Sequence, residues 1–227
     1  MPAATPALSP AALARCIPFA VFMALLALRG HLPDSLGLDA RWVYGAQTFI
    51  VAGLLAFYWR GYGELARQNL PEARETGWAV VVGIAVFALW VQLDAPWMQF
   101  GQATASFVPL DAHGQPIWAL IALRLAGAAL VVPVMEELFW RGFLMRWVQH
   151  PTFERVDPQT ASYKAVLLST FVFTLAHTLW LAAIVAGLAY ALLYRRTGKL
   201  WTAVIAHLVT NGLLGVWVIW TGRWEFW

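Results

Sequence analysis

Long apolar runs separated by short polar breaks organise the chain, covering residues 16–28, 42–59, 78–93, 117–148, 165–194 and 200–220. Windows of about 20 apolar residues cross a bilayer core about 30 Å thick, so each run reads as membrane helix. The first is short enough to suggest a secretory signal. Arg29, Gly30 and His31 follow it where a small-residue cleavage site would stand, so it is kept as a span. Residues 165–194 contain no Asp, Glu, Lys or Arg over 30 positions, and one helix of that length would be roughly 45 Å long. A turn near Leu179 to Leu181 divides it, which predicts seven spans in an all-α polytopic transmembrane bundle. No linker, low-complexity tract or repeat interrupts the pattern, so residues 1–227 read as one domain, with its polar motifs inside 117–220.

Composition sharpens this reading. Hydrophobic residues make up 61% of the 227 and charged residues only 12%, about half the charge of an ordinary soluble domain. Disorder and nucleic-acid binding are excluded, because the 15 Lys and Arg are scattered singly and form no basic stripe. Their distribution instead predicts orientation. With the N-terminus inside, ten lie in inner segments (Arg15; Arg60, Arg67, Arg74; Arg146, Arg155, Lys164; Arg195, Arg196, Lys199) and three, Arg29, Arg41 and Arg223, in outer ones. The connection 94–116 has no Lys or Arg. Trp42, Trp59, Trp78, Trp118, Trp201 and Trp220 sit at span ends, as interfacial anchors do. The lone Cys16 forbids an internal disulfide and has no lipoprotein-site context.

Against this background a few polar residues stand inside spans, where each costs roughly 2.5 to 3.5 kcal/mol on insertion scales. They are Glu136, Glu137 and Arg141 in the fourth span, His177 in the fifth, and His207 with Asn211 in the seventh. Glu137 and Arg141 are four apart with the acid first, the favoured order for an ion pair on one helix face. Glu136 is turned about 100° away and left unpaired. His207 and Asn211 are likewise four apart and project together as an imidazole and an amide. Pro133 predicts a kink that opens a cavity. Counting residues from the nearest inner charge places Glu136, His177 and His207 roughly 15, 20 and 12 Å deep. All three then fall in one inner half of the membrane, with the cavity open to the inner side.

A carboxylate and a histidine polarise water, while a second histidine and an amide stabilise an oxyanion, so hydrolysis needs no serine or cysteine nucleophile here. Ser169 and Cys16 lack a catalytic setting. Arg124, also in the fourth run, reads as snorkelling to the outer interface, and His31, His113 and His150 as solvated loop residues. Two other classes compete: a membrane scaffold or sorting partner that cuts nothing, and a proton-coupled transporter, which should show related halves.

Glu136-Glu137-Leu138-Phe139-Trp140-Arg141 fits EExxxR, Phe173-Thr174-Leu175-Ala176-His177 fits FxxxH, and His207-Leu208-Val209-Thr210-Asn211 fits HxxxN. In order and spacing the chain resembles the CPBP family of CAAX-type (Abi-type) intramembrane proteases, and its tryptophan-rich surroundings resemble the bacterial exosortase-associated CAAX prenyl protease-related branch. The resemblance implies a glutamate-dependent intramembrane endopeptidase of the bacterial inner membrane that cuts a membrane-anchored protein or peptide. It gives Glu136 and His177 the activation of water, His207 and Asn211 the oxyanion site, and Glu137 with Arg141 a supporting role. Some members have been described as metalloproteases, in which case Glu136, His177 and His207 would hold zinc. With no HExxH and an amide in the fourth place, a reaction without a metal cofactor is preferred.

Overall fold

A computed structural model describes residues 9–29, 39–101 and 107–227; His31 lies outside them. Among the described residues there are no strands, and the chain forms seven helical rods. These are α1 (Pro10–Arg29), α2 (Arg41–Tyr58), α3 (Ala73–Trp90), α4 (Trp118–Gln149), α5 (Tyr163–Leu175), α6 (Trp180–Thr197) and α7 (Leu200–Thr221). Five of them, α1, α2, α3, α4 and α7, are long and apolar enough to cross a membrane. The protein is a polytopic helical bundle, wrapped in outward-facing apolar side chains such as Phe49, Phe57, Phe171 and Val216.

Local chemistry moves several boundaries from those the apolar runs predict. Ser9 accepts a hydrogen bond from the Ala12 backbone N–H, which starts α1 six residues before the run begins. At α3 a reciprocal capping box between Glu72 and Glu75 starts the helix at Ala73, upstream of the run at 78. Ser162 caps α5. Gly198 and Gly222, both with positive φ, terminate α6 and α7. The predicted turn in the fifth run lies earlier than Leu179 to Leu181: α5 ends at Leu175 and α6 begins at Trp180. His177 is therefore in the connection and not within a span helix.

α4 is not uniformly α-helical. Gly127–Val131 and Leu138–Leu144 are π-helical, on either side of a short α-helical piece, Val132–Glu137. Pro133 has no N–H to donate and its ring crowds the preceding turn, and the wider π turn before it accommodates both effects.

The two ends of the bundle differ. At one, Glu64 receives Arg15 and Arg146, at 2.5 and 2.9 Å. Nearby, Tyr62 donates to the Ala14 carbonyl, and burial pushes its phenol above the ordinary range. Lys199 pairs with Glu75, and Arg195 donates to the Ala161 carbonyl. At the other end Arg223 pairs with Asp94 and Glu225, and Trp180 donates to the Trp97 carbonyl. Between the ends α3 and α7 are in close contact at Gly83, where a Cβ would lie 2.5 Å from the Ala206 carbonyl oxygen.

Candidate active site

The polar residues of α4 separate by their position around the helix. Glu137, fully buried, points into the bundle, where its Oε1 accepts from Arg141 Nη1 at 2.9 Å and from His207 Nδ1 at 2.9 Å. Arg141 also donates to the Gly187 carbonyl and lies over the Phe173 ring, its guanidinium carbon 4.7 Å from the centroid. The ion pair anticipated from the four-residue spacing is present. The bond from His207 to the same carboxylate oxygen was not anticipated, because only tertiary packing brings α7 beside α4.

Glu136 faces the other way, into a cavity of about 200 Å³ that His177, His207, Tyr190, Thr210 and Asn211 also line. Its Oε2 is buried without a hydrogen-bond partner. The structure thus brings Glu136, His177, His207 and Asn211 to one cavity and places Glu137 and Arg141 behind it.

Hydrogen bonds define what each group can still offer. His177 Nδ1 is 2.8 Å from the Phe173 carbonyl, which only accepts. The ring proton is therefore on Nδ1, and Nε2 keeps its lone pair. That bond also serves a carbonyl in the last turn of α5, which explains why the imidazole sits just past the helix end. His207 spends its Nδ1–H on Glu137, so Nε2 donates only from a protonated ring. Asn211 Nδ2 donates to the Ala128 carbonyl in the first π segment at 2.9 Å, which leaves one amide N–H. Of the pair of free donors expected from His207 and Asn211, Asn211 keeps one amide N–H, and His207 offers one at Nε2 only when its ring is protonated.

Tyr190 was not foreseen, since no motif contains it. Its ring stacks on His207 with centroids 5.0 Å apart, and its hydroxyl bonds Thr210 Oγ1, which also lies 2.9 Å from the Gly83 carbonyl. Arg124, expected to snorkel to the outer interface, lines the same cavity, with its guanidinium carbon 4.2 Å from the Tyr44 ring centroid. Its place in an apolar run, twelve residues before Glu136, was the available signal. Ser169 is buried on the Val166 carbonyl and does not line the cavity, and His113 and His150 are exposed in connections.

The direction of the cavity is also corrected. Its walls include Phe22, Trp90, Phe226 and Trp227, all toward the bundle end that carries the 94–117 connection. The opposite side is filled by Leu138, Met145, Leu200 and Ala203, each buried to within 1%. The helices differ in length, so depth does not follow from the number of residues to the nearest inner charge. α5 has only 13 residues, and His177 lies beyond its far end, against Trp90.

Among the described residues no three His, Cys, Asp or Glu side chains form a group able to hold a metal ion. His177 and His207 each direct Nδ1 to a protein acceptor, the Phe173 carbonyl and Glu137 respectively.

Residues 116–213 match the family model described as "Type II CAAX prenyl endopeptidase Rce1-like". The match covers less than half of the chain, and it takes in Glu136, Glu137, Arg141, His177, His207 and Asn211. No curated protein and no solved structure matches the chain.

Proposed function

Taking that match as premise, we propose that the chain is a CPBP-type, CAAX-protease-like intramembrane endopeptidase that cuts a membrane-anchored protein or peptide with a glutamate-activated water. One observation carries the reading: Glu136, whose Oε2 is buried without a partner among the described residues, and His177, whose Nδ1 is held by the Phe173 carbonyl, line the same cavity.

In the proposed reaction a water donates one hydrogen bond to Glu136 and one to His177 Nε2, and its oxygen bonds the scissile carbonyl carbon. Glu136 takes the proton. The oxyanion receives hydrogen bonds from Nε2 of protonated His207 and from the remaining Asn211 amide N–H. The proton then passes from Glu136 to the leaving nitrogen as the C–N bond breaks. With Glu136 and Glu137 ionised and Arg141 and His207 protonated, the cluster is neutral overall, which suits a low-dielectric interior. Glu137 and Arg141 orient His207 and are positioning residues. No step is assigned to a metal.

The substrate class follows from the setting: a cavity between membrane helices admits a membrane-associated peptide and no nucleic acid. With the N-terminus inside, as the Lys and Arg distribution favours, the cavity faces the outer side of a bacterial inner membrane, and the scissile bond lies toward the outer end of the substrate's anchor. Partnership with an exosortase-type sorting system rests on the tryptophan-rich sequence resemblance alone. The test is termini-resolved membrane proteomics in strains carrying native or Glu136→Gln protein. New termini that require Glu136 support the reading, and identical termini in both strains refute it.

A further inference from the structure

Arg124 is a cation on α4 with no ion-pair partner among the described residues. It makes no hydrogen bond or ion pair among the described residues, and its Nε is buried without a partner. Rings face it: Tyr44 at 4.2 Å and Phe107 at 5.5 Å from the guanidinium carbon. A ring contacts the flat face of a guanidinium and leaves the in-plane N–H donors unspent. The Tyr44 hydroxyl, lining the same cavity, is also buried without a partner. Among the described residues, neither Arg124 Nε nor the Tyr44 hydroxyl has a hydrogen-bond partner. Among the described residues Glu136 is the only acidic one lining the cavity, and it stands twelve residues along α4, about 18 Å at about 1.5 Å per residue. That is too far for an ion pair.

We propose that Arg124, with the Tyr44 hydroxyl, is a subsite that binds a carboxylate of the peptide being cut, and so selects which bond reaches Glu136. A planar fork of N–H donors matches a carboxylate bidentately, and the bound anion supplies the missing counter-charge. The carboxylate is either the substrate's free C-terminus or an Asp or Glu side chain. Extended chain advances about 3.3–3.6 Å per residue, so it lies within about five residues of the scissile bond. The proposal rests on the protease reading for its meaning, although binding itself can be measured without turnover.

Purified Glu136→Gln protein in detergent is titrated with three probes: N-acetyl-Leu-Leu as the free acid, its C-terminal amide, and N-acetyl-Glu-Leu amide. Tryptophan fluorescence reads binding, since Trp90 and Trp227 line the cavity. At least one acid is expected to bind ten-fold or more tighter than the neutral amide. Preference for the free acid identifies a C-terminus, and preference for the glutamyl amide identifies a side chain. Adding Arg124→Gln should close the gap to within two-fold, and Arg124→Lys, which keeps the charge but loses the fork, should narrow it several-fold. Equal affinity for all three probes, no binding by folded protein, or a gap unchanged in both Arg124 variants would overturn the proposal. If acids bind through Arg124 while native protein creates no termini in cells, the protease reading fails and the subsite stands.

Discussion

At the scale of the residue, the two adjacent glutamates carry different duties because one helix step turns them about 100° apart. Glu136→Gln preserves volume and removes only the proton acceptor, so cleavage by purified protein should be lost while expression and helicity by circular dichroism stay near native. Arg141→Ala is expected to act differently. It strands Glu137, which is fully buried and whose second oxygen already lacks a partner, and breaking such a pair costs about 3 to 5 kcal/mol. Protein level and thermal midpoint should therefore fall before kinetics can be read. The four-residue spacing of Glu137 and Arg141 made their pairing legible in advance. The Glu137–His207 bond was not legible, since 70 positions separate the partners and only packing joins them.

At the scale of the element, the site depends on how closely α3 approaches α7. The Gly83 carbonyl lies within hydrogen-bond distance of Thr210 Oγ1, beside the helix face that presents His207 and Asn211. A methyl group at Gly83 would meet the Ala206 oxygen at 2.5 Å and Val209 Cβ at 2.8 Å. Gly83→Ala should cost about 1 to 3 kcal/mol, as overpacking does, lowering the thermal midpoint and the cleavage rate together. Gly53→Ala, where nothing lies within 4 Å, should change neither by much, and a Gly83→Ala protein as stable as that control would contradict the close approach. The terminal tryptophans divide in the same way. Trp220 is 84% exposed, as an interfacial anchor is, whereas Trp201 donates to the Leu65 carbonyl and fastens α7 to the connection after α2.

At the scale of the whole molecule, the charge asymmetry and the direction of the cavity make a joint prediction. In a Cys16→Ala background, Thr152→Cys at the Glu64 end should resist a membrane-impermeant thiol reagent applied to intact cells, and Ala112→Cys at the cavity end should react. The reverse pattern would turn the molecule over and move cleavage to the inner side. Cofactor use is read on the same purified protein. If Glu136 and His177 activate water without a metal, exhaustive chelation leaves cleavage intact and elemental analysis finds far less than one transition metal per chain. Activity lost to chelator and restored by zinc would reverse that conclusion.

The sequence by itself determined the helical class, the number of rods and the identity of the polar residues brought together, because each depends on local composition or on spacing along one helix. An apolar run with a Glu–Arg pair four residues apart declares its contents wherever it is placed. Tertiary structure alone decided that His207 shares Glu137 with Arg141, that Asn211 spends an N–H on a π-helical carbonyl, that Arg124 enters the cavity, and toward which end that cavity runs. Those outcomes depend on helix lengths, π turns and crossings, through which residues far apart in the chain come to compete for the same donors and the same space.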